Sequence, residues 1–159
     1  MADHPTLATS TPTTSPSKLT LVLEGVPPNW LNWKRGLKER IRSRTDWKER
    51  ASLAARVARA KSGWLLPKNS DHRSVAIRCF RVRQLDHDGL HASVKPIIDG
   101  LKYVQYVRLG KRGTRYVQVE GAGLIYDDGP RFVTVSVSQH PVEHFADEKT
   151  EIEVSRESI

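Results

Sequence analysis

The chain has 159 residues, enough for one domain with a real core. Charged residues make up 28% and hydrophobic residues 38%, an ordinary composition for a soluble protein. No run approaches the ~18 apolar residues of a membrane span, and the opening residues lack the apolar stretch of a secretory signal. Cys79 is the only cysteine, which excludes an internal disulfide and a multi-cysteine zinc site. A reducing, cytoplasmic setting is the simplest expectation.

The net charge is +8, and it is unevenly spread. Lys34 to Lys61 holds eleven Lys/Arg against three acids. Lys102 to Arg115 holds five basic residues and no acid, whereas His140 to Ile159 holds six acids and two basic residues. Basic blocks of this kind meet polyanions such as nucleic acid, or simply form solvated helix faces.

Residues 1–17, rich in Thr, Ser, Pro and Ala, read as a disordered tail. Leu19, Leu21 and Leu23 alternate with Thr20, Val22 and Glu24 as a first strand, stopped by Gly25 and Pro27-Pro28. The segment 29–44, with Trp30 and Trp33 among bases, fits a short helix or a loop. A helix is expected from Asp46 to Ala60, capped by Thr45 or Asp46, with Trp47, Leu53, Ala54 and Val57 on one side. A strand follows over 74–84, carrying Val75, Ile77, Phe80 and Val82.

Leu90, Val94, Ile97, Ile98 and Leu101 have helical spacing. Pro96 in a helix interior costs ~3 kcal/mol, so the expected regular helix runs over 93–103, with Ser93 as cap and Pro96 in the first turn. Val104, Tyr106, Tyr116, Val117 and Val119 flank the turn Gly110–Gly113 and predict an inserted hairpin over about 103–121. Strands are expected over 131–139, with Val133, Val135 and Val137 on one side, and over 151–155. Residues 156–159 read as a tail.

Two acidic pairs punctuate this pattern. Asp86-His87-Asp88 falls where a strand ends, and Asp127-Asp128 falls just before another strand. Carboxylates are hard ligands for Mg²⁺ or Mn²⁺, ions that activate water and stabilise phosphoryl charge. Both pairs are also good turn chemistry. Lys95 and Asp99, spaced i, i+4, are either a surface ion pair or part of an acidic site.

Three stretches together resemble the RusA-type endodeoxyribonucleases, which resolve four-way (Holliday) junctions and are often carried by phages and prophages. They are Leu85-Asp86-His87-Asp88-Gly89-Leu90, Lys95-Pro96-Ile97-Ile98-Asp99-Gly100-Leu101 and Gly123-Leu124-Ile125-Tyr126-Asp127-Asp128-Gly129-Pro130. The Pro-Pro-Asn after the first strand and the final Lys149–Val154 strand add to the likeness, which covers roughly 18–155. The resemblance implies a small α/β (α+β) fold, a mixed sheet flanked by helices, an intertwined homodimer and Mg²⁺-dependent cleavage of branched DNA. Carried over by motif, Asp86, Asp88 and Asp128 would hold the metal and Lys95 would be the essential lysine. Asp127 and Asp99 would be supporting acids.

Three departures stand out. Gly89 occupies the place of the family's usual Asn, the Asp88–Lys95 stretch is long, and residues 103–121 are inserted. DNA contacts are expected from Lys34, Arg35, Lys38, Arg40, Arg42 and Arg44, and from Arg108, Lys111, Arg112 and Arg115 of the insertion. His87 and His91 are expected not to be ligands. The four tryptophans are expected in the core or a dimer interface. The rival expectation is a DNA-binding protein on the same scaffold without catalysis, favoured by Gly89.

Overall fold

The computed structural model describes residues 15–113 and 115–156. Six strands and two long helices follow one another along the chain. They are β1 (Lys18–Glu24), α1 (Leu37–Ser62), β2 (Arg73–Arg81), α2 (His87–Leu101), β3 (Val104–Leu109), β4 (Arg115–Glu120), β5 (Val133–Pro141) and β6 (Lys149–Arg156). Two short 3-10 turns, Trp30–Asn32 and Phe145–Asp147, complete the order. The fold is a small α+β arrangement, as the sequence predicts.

The main sheet has the order β1-β6-β2-β5, with β2 and β5 parallel and the other neighbours antiparallel. Alternation decides its faces. In β2, Val75, Ile77 and Cys79 are buried, as are Leu19, Leu21 and Leu23 of β1 and Ile152 and Val154 of β6. Val133 is buried and Val135 and Val137 pack against the same core. The helices cover this face. Polar side chains hold the opposite one, where Arg78 pairs with Glu151 at 3.4 Å and Lys18 with Glu153 at 3.1 Å. The parallel β2–β5 pairing requires a long crossover, and α2 with the β3–β4 ribbon supplies it.

The main differences from the sequence expectation lie in the helices. α1 is 26 residues long rather than spanning 46–60, so the ambiguous stretch becomes a 3-10 turn followed by helix. Thr45 and Asp46 are interior rather than capping. Its core side is Trp47, Ala51 and Ala55, whereas Leu53 and Val57 face water. α2 begins at His87 instead of 93. Asp86 is its N-cap, accepting a bond from the Gly89 amide at 2.8 Å, and Ser93 instead donates its hydroxyl to the Leu90 carbonyl at 2.7 Å. Pro96 therefore lies inside the helix. Burial of Leu90, Val94, Ile97, Ile98 and Leu101 on one face outweighs the lost backbone bond. The remaining strands shift by about two residues at their ends.

Three tryptophans (Trp30, Trp47 and Trp64) are buried, and Trp30 donates its indole N–H to the Ser93 carbonyl at 3.0 Å. Arg156 belongs to β6; the tail positions 1–14 and 157–159 lie outside the described residues. No helix among the described residues is long and apolar enough to cross a membrane.

The helices meet where Gly100 faces α1. A Cβ there would lie 2.4 Å from the Lys48 carbonyl and 2.9 Å from the Ala51 Cβ. Gly100→Ala is expected to cost about 1–3 kcal/mol through overpacking, read as a lowered urea midpoint. An unchanged midpoint would contradict this close approach.

Candidate functional site

The site forms where α2 ends and the chain returns from the β3–β4 ribbon. The Leu101 carbonyl accepts from the amides of Leu124 (3.0 Å) and Ile125 (3.3 Å). Tyr103 N–H donates to the Ile125 carbonyl at 2.8 Å, and Val104 N–H to the Tyr126 carbonyl at 3.0 Å. This ladder lays residues 124–126 along the end of α2 and delivers Asp127 and Asp128 to its exposed side.

Lys95 donates to Asp99 at 3.1 Å and is also hydrogen-bonded to Asp128. Lys102 sits 3.4 Å from both Asp127 and Asp128 and 3.7 Å from Asp99. Asp127 also accepts from the Asp128 amide at 2.8 Å. Three aspartates and two lysines thus interlock. The structure brings Lys95, Asp99, Asp127 and Asp128 together, residues that spacing alone leaves as two separate local features. Lys102 was missed as a site residue, because it reads as the start of the basic ribbon. Its signal was its spacing, three residues after Asp99 and seven after Lys95, on one helix face.

The other acidic pair stands apart. Asp86 uses Oδ1 to cap α2. Asp88 is in the first turn, its side chain 88% exposed, with His87 3.4 Å away. It shares a helix face with Lys95, Asp99 and Lys102 but lies two turns from Lys95, about 10 Å along the axis. Asp86, Asp88 and Asp128 therefore do not meet. Among the described residues no group of three or more acidic, His or Cys side chains stands ready to hold a metal ion. The rings of His87 and His91 stack on each other at 4.3 Å.

Gly89 has a local reason. A Cβ there would lie 2.6 Å from Asp86 Oδ1 and 2.7 Å from Asn29 Nδ2. The carboxamide of Asn29 occupies the space beside the cap. A polar amide therefore does stand next to Asp86, brought by the Pro27-Pro28-Asn29 segment rather than by residue 89.

Basic residues approach from α1. Arg44 and Lys48 line a groove of about 260 Å³ together with Ile41, Thr45, Pro96 and Asp99. Lys34, Arg35, Lys38 and Arg42 are exposed and Arg40 half-buried at the start of α1. Farther along, Arg56 and Arg59 are structural, donating to the carbonyls of Glu120 (3.5 Å) and Ala122 (2.7 Å). Arg108, Lys111, Arg112 and Arg115 lie exposed on the ribbon.

Electrostatics couple the cluster. Burial by itself would raise the Asp128 carboxyl, but the bonds from Lys95 and Asp127 and the charges of Lys95 and Lys102 hold it well below the usual carboxylate range. Burial by itself would lower Lys95, but Asp128 and Asp99 push it above its ordinary value of 10.5. Asp128 therefore stabilises the fold fully above its ordinary 3.8 and loses that contribution as pH falls. Lys95 stabilises below 10.5 and loses its contribution as pH rises past it. Comparison with models of protein families, with curated proteins and with solved structures gives no match.

With metal chelated, the wild-type unfolding free energy is expected to fall more steeply between about pH 5 and pH 2 than that of Asp128→Asn. Equal slopes in denaturant titrations would contradict the ion-paired cluster.

Proposed function

We propose that this chain is a metal-dependent, structure-selective endodeoxyribonuclease that nicks branched DNA, with four-way junctions as its substrate class. In this reading it acts as a homodimer in the cytoplasm of a bacterial or phage-infected cell, in DNA recombination and repair. The observation that carries the proposal is the interlocked Lys95–Asp99–Lys102–Asp127–Asp128 cluster beside a groove lined by Arg44 and Lys48. Acids that can hold a cation and bases that can hold a phosphate backbone meet at one place.

The donor set suits Mg²⁺ or Mn²⁺. Asp99, Asp127 and Asp128 against Lys95 and Lys102 leave a net charge of −1 on hard oxygen ligands. Asp128 and Asp88 would hold the ion, with Asp127 beside them. Asp88, exposed on the same helix face, would reach the ion through bridging water, and Asp86 has its second oxygen beyond the cap bond. When bound, the ion would activate water and stabilise charge on the phosphate. Lys95 and Lys102 favour the ionised form of Asp128 and would place positive charge where a scissile phosphate would arrive. Arg44, Lys48 and the exposed bases at the start of α1 would hold the DNA arms through their phosphates, so binding would be steeply salt-dependent.

A second reading, a branched-DNA-binding protein without catalysis, is favoured by one observation: Asp86, Asp88 and Asp128 do not converge. A synthetic four-way junction with Mg²⁺ separates the two. Wild type is expected to give symmetric nicks, and Asp128→Asn and Asp88→Asn each to lose about 100- to 1,000-fold in cleavage rate while still binding. Binding without cleavage by the wild type would favour the second reading, and equal product from wild type and variants would reject the proposed site.

A further inference from the structure

The β3–β4 ribbon has two unlike faces. Its register sets Tyr106 opposite Gln118 and Arg108 opposite Tyr116, so these four side chains share one face. Val107 opposite Val117, Gln105 opposite Val119 and Leu109 opposite Arg115 form the other. Tyr106 and Tyr116 are each 63% exposed. A two-stranded ribbon is marginal by itself, and its two tyrosines leave most of their ring surface open to solvent. The register also sets Glu120 opposite Val104 on this face, so it carries one cation, Arg108, and one acid, while Lys111 and Arg112 lie at the tip of the ribbon.

The root of the ribbon is fixed to the acidic cluster. Gln105 donates to the Asp99 carbonyl at 2.7 Å, Gly121 N–H donates to the Tyr103 carbonyl at 2.6 Å, and the Tyr103 hydroxyl donates to Glu120 at 2.9 Å. Tyr106 follows Lys102 by four residues, about 13 Å of extended chain. The aromatic face is thus held within a few nucleotide steps of the site.

We propose that the face formed by Tyr106 and Tyr116 is a stacking surface for base faces left without a stacking neighbour at a DNA branch point. This rests on the reading of the chain as a branched-DNA nuclease. Phosphates are present along every duplex, and the bases of α1 can grip any of them. Base faces are open only where stacking is interrupted, and aromatic stacking takes any base. The ribbon therefore supplies preference for a branch, whereas the basic groove supplies affinity for DNA in general. Arg108, across from Tyr116 in register, turns its guanidinium to the Gly113 carbonyl and so helps to fix the ribbon's turn.

The test is equilibrium binding in EDTA, with a four-way junction carrying 2-aminopurine at the branch and a linear duplex of equal length. Wild type is expected to prefer the junction and to quench the 2-aminopurine emission. The Tyr106→Ala/Tyr116→Ala variant is expected to lose about tenfold or more in junction affinity, along with the quench, while its duplex affinity stays unchanged. Tyr106→Phe/Tyr116→Phe, which keeps the rings, is expected to retain both, so that loss through misfolding is told apart. An alanine variant that still prefers the junction and quenches would overturn the proposal while leaving the nuclease reading in place. Equal weakening on both DNAs would also overturn it, making the ribbon a phosphate contact. A wild type that binds neither DNA would end both readings.

Discussion

The pairing of the chain at Leu101 with the chain at Ile125 is the constraint on which the site depends. One carbonyl receives two amides there, and the ladder continues through Tyr103 and Val104. Without it, Asp127-Asp128 would be a turn far from α2. Arg73 reinforces it from below. Its guanidinium, 2% exposed, donates to the carbonyls of Leu124 (2.6 Å) and Leu65 (3.1 Å). Burial pushes its pKa down to about 10, a sign of how little water reaches it. A buried cation bonded to two backbone carbonyls is costly to disturb, because its loss leaves them unpaired. The loop is therefore held both by its ladder to the end of α2 and by the buried Arg73.

The same constraint makes the acidic residues unequal. Asp127 and Asp128 arrive on a fixed loop and find two ammonium groups on α2. Asp86 is held by the helix it caps. Asp88 is the one carboxylate with few restraints, exposed and two turns up the same face. The lysines neutralise charge that a divalent ion would otherwise neutralise, so Lys95 and an ion at Asp128 would compete for the same oxygens. Under the proposed function, that competition would give Lys95 a role in tuning how tightly a metal is held, beside any contact with phosphate. The ribbon continues from the same corner, so the acidic cluster and the aromatic face share one support.

Much of the layout was legible in the sequence. Alternating Leu and Val residues marked β1, β2 and β5, and the glycine-flanked turn marked the ribbon. Lys95, Asp99, Asp127 and Asp128 were readable as one site only by joining two distant segments, for which the resemblance supplied the link. What escaped has local physical causes. Pro96 argues for a helix start, yet a cap at Asp86 and a continuous apolar face carry the helix through it. α1 buries Trp47, Ala51 and Ala55 but no apolar residue in its first ten, so that stretch fits either a short helix or a loop from sequence. Gly89 looked like a missing polar group, when the amide of Asn29 stands in that space. Whether Asp86 and Asp88 act with Asp128 depends on bridging water that no spacing rule contains.

The central claim is that two distant acidic pairs serve one metal ion. Paramagnetic broadening of backbone amide signals by substoichiometric Mn²⁺ tests it most directly. The account predicts that amides at 86–89 and at 126–129 broaden together, and that Asp128→Asn abolishes both effects. Broadening confined to one pair, or none at either, would contradict it.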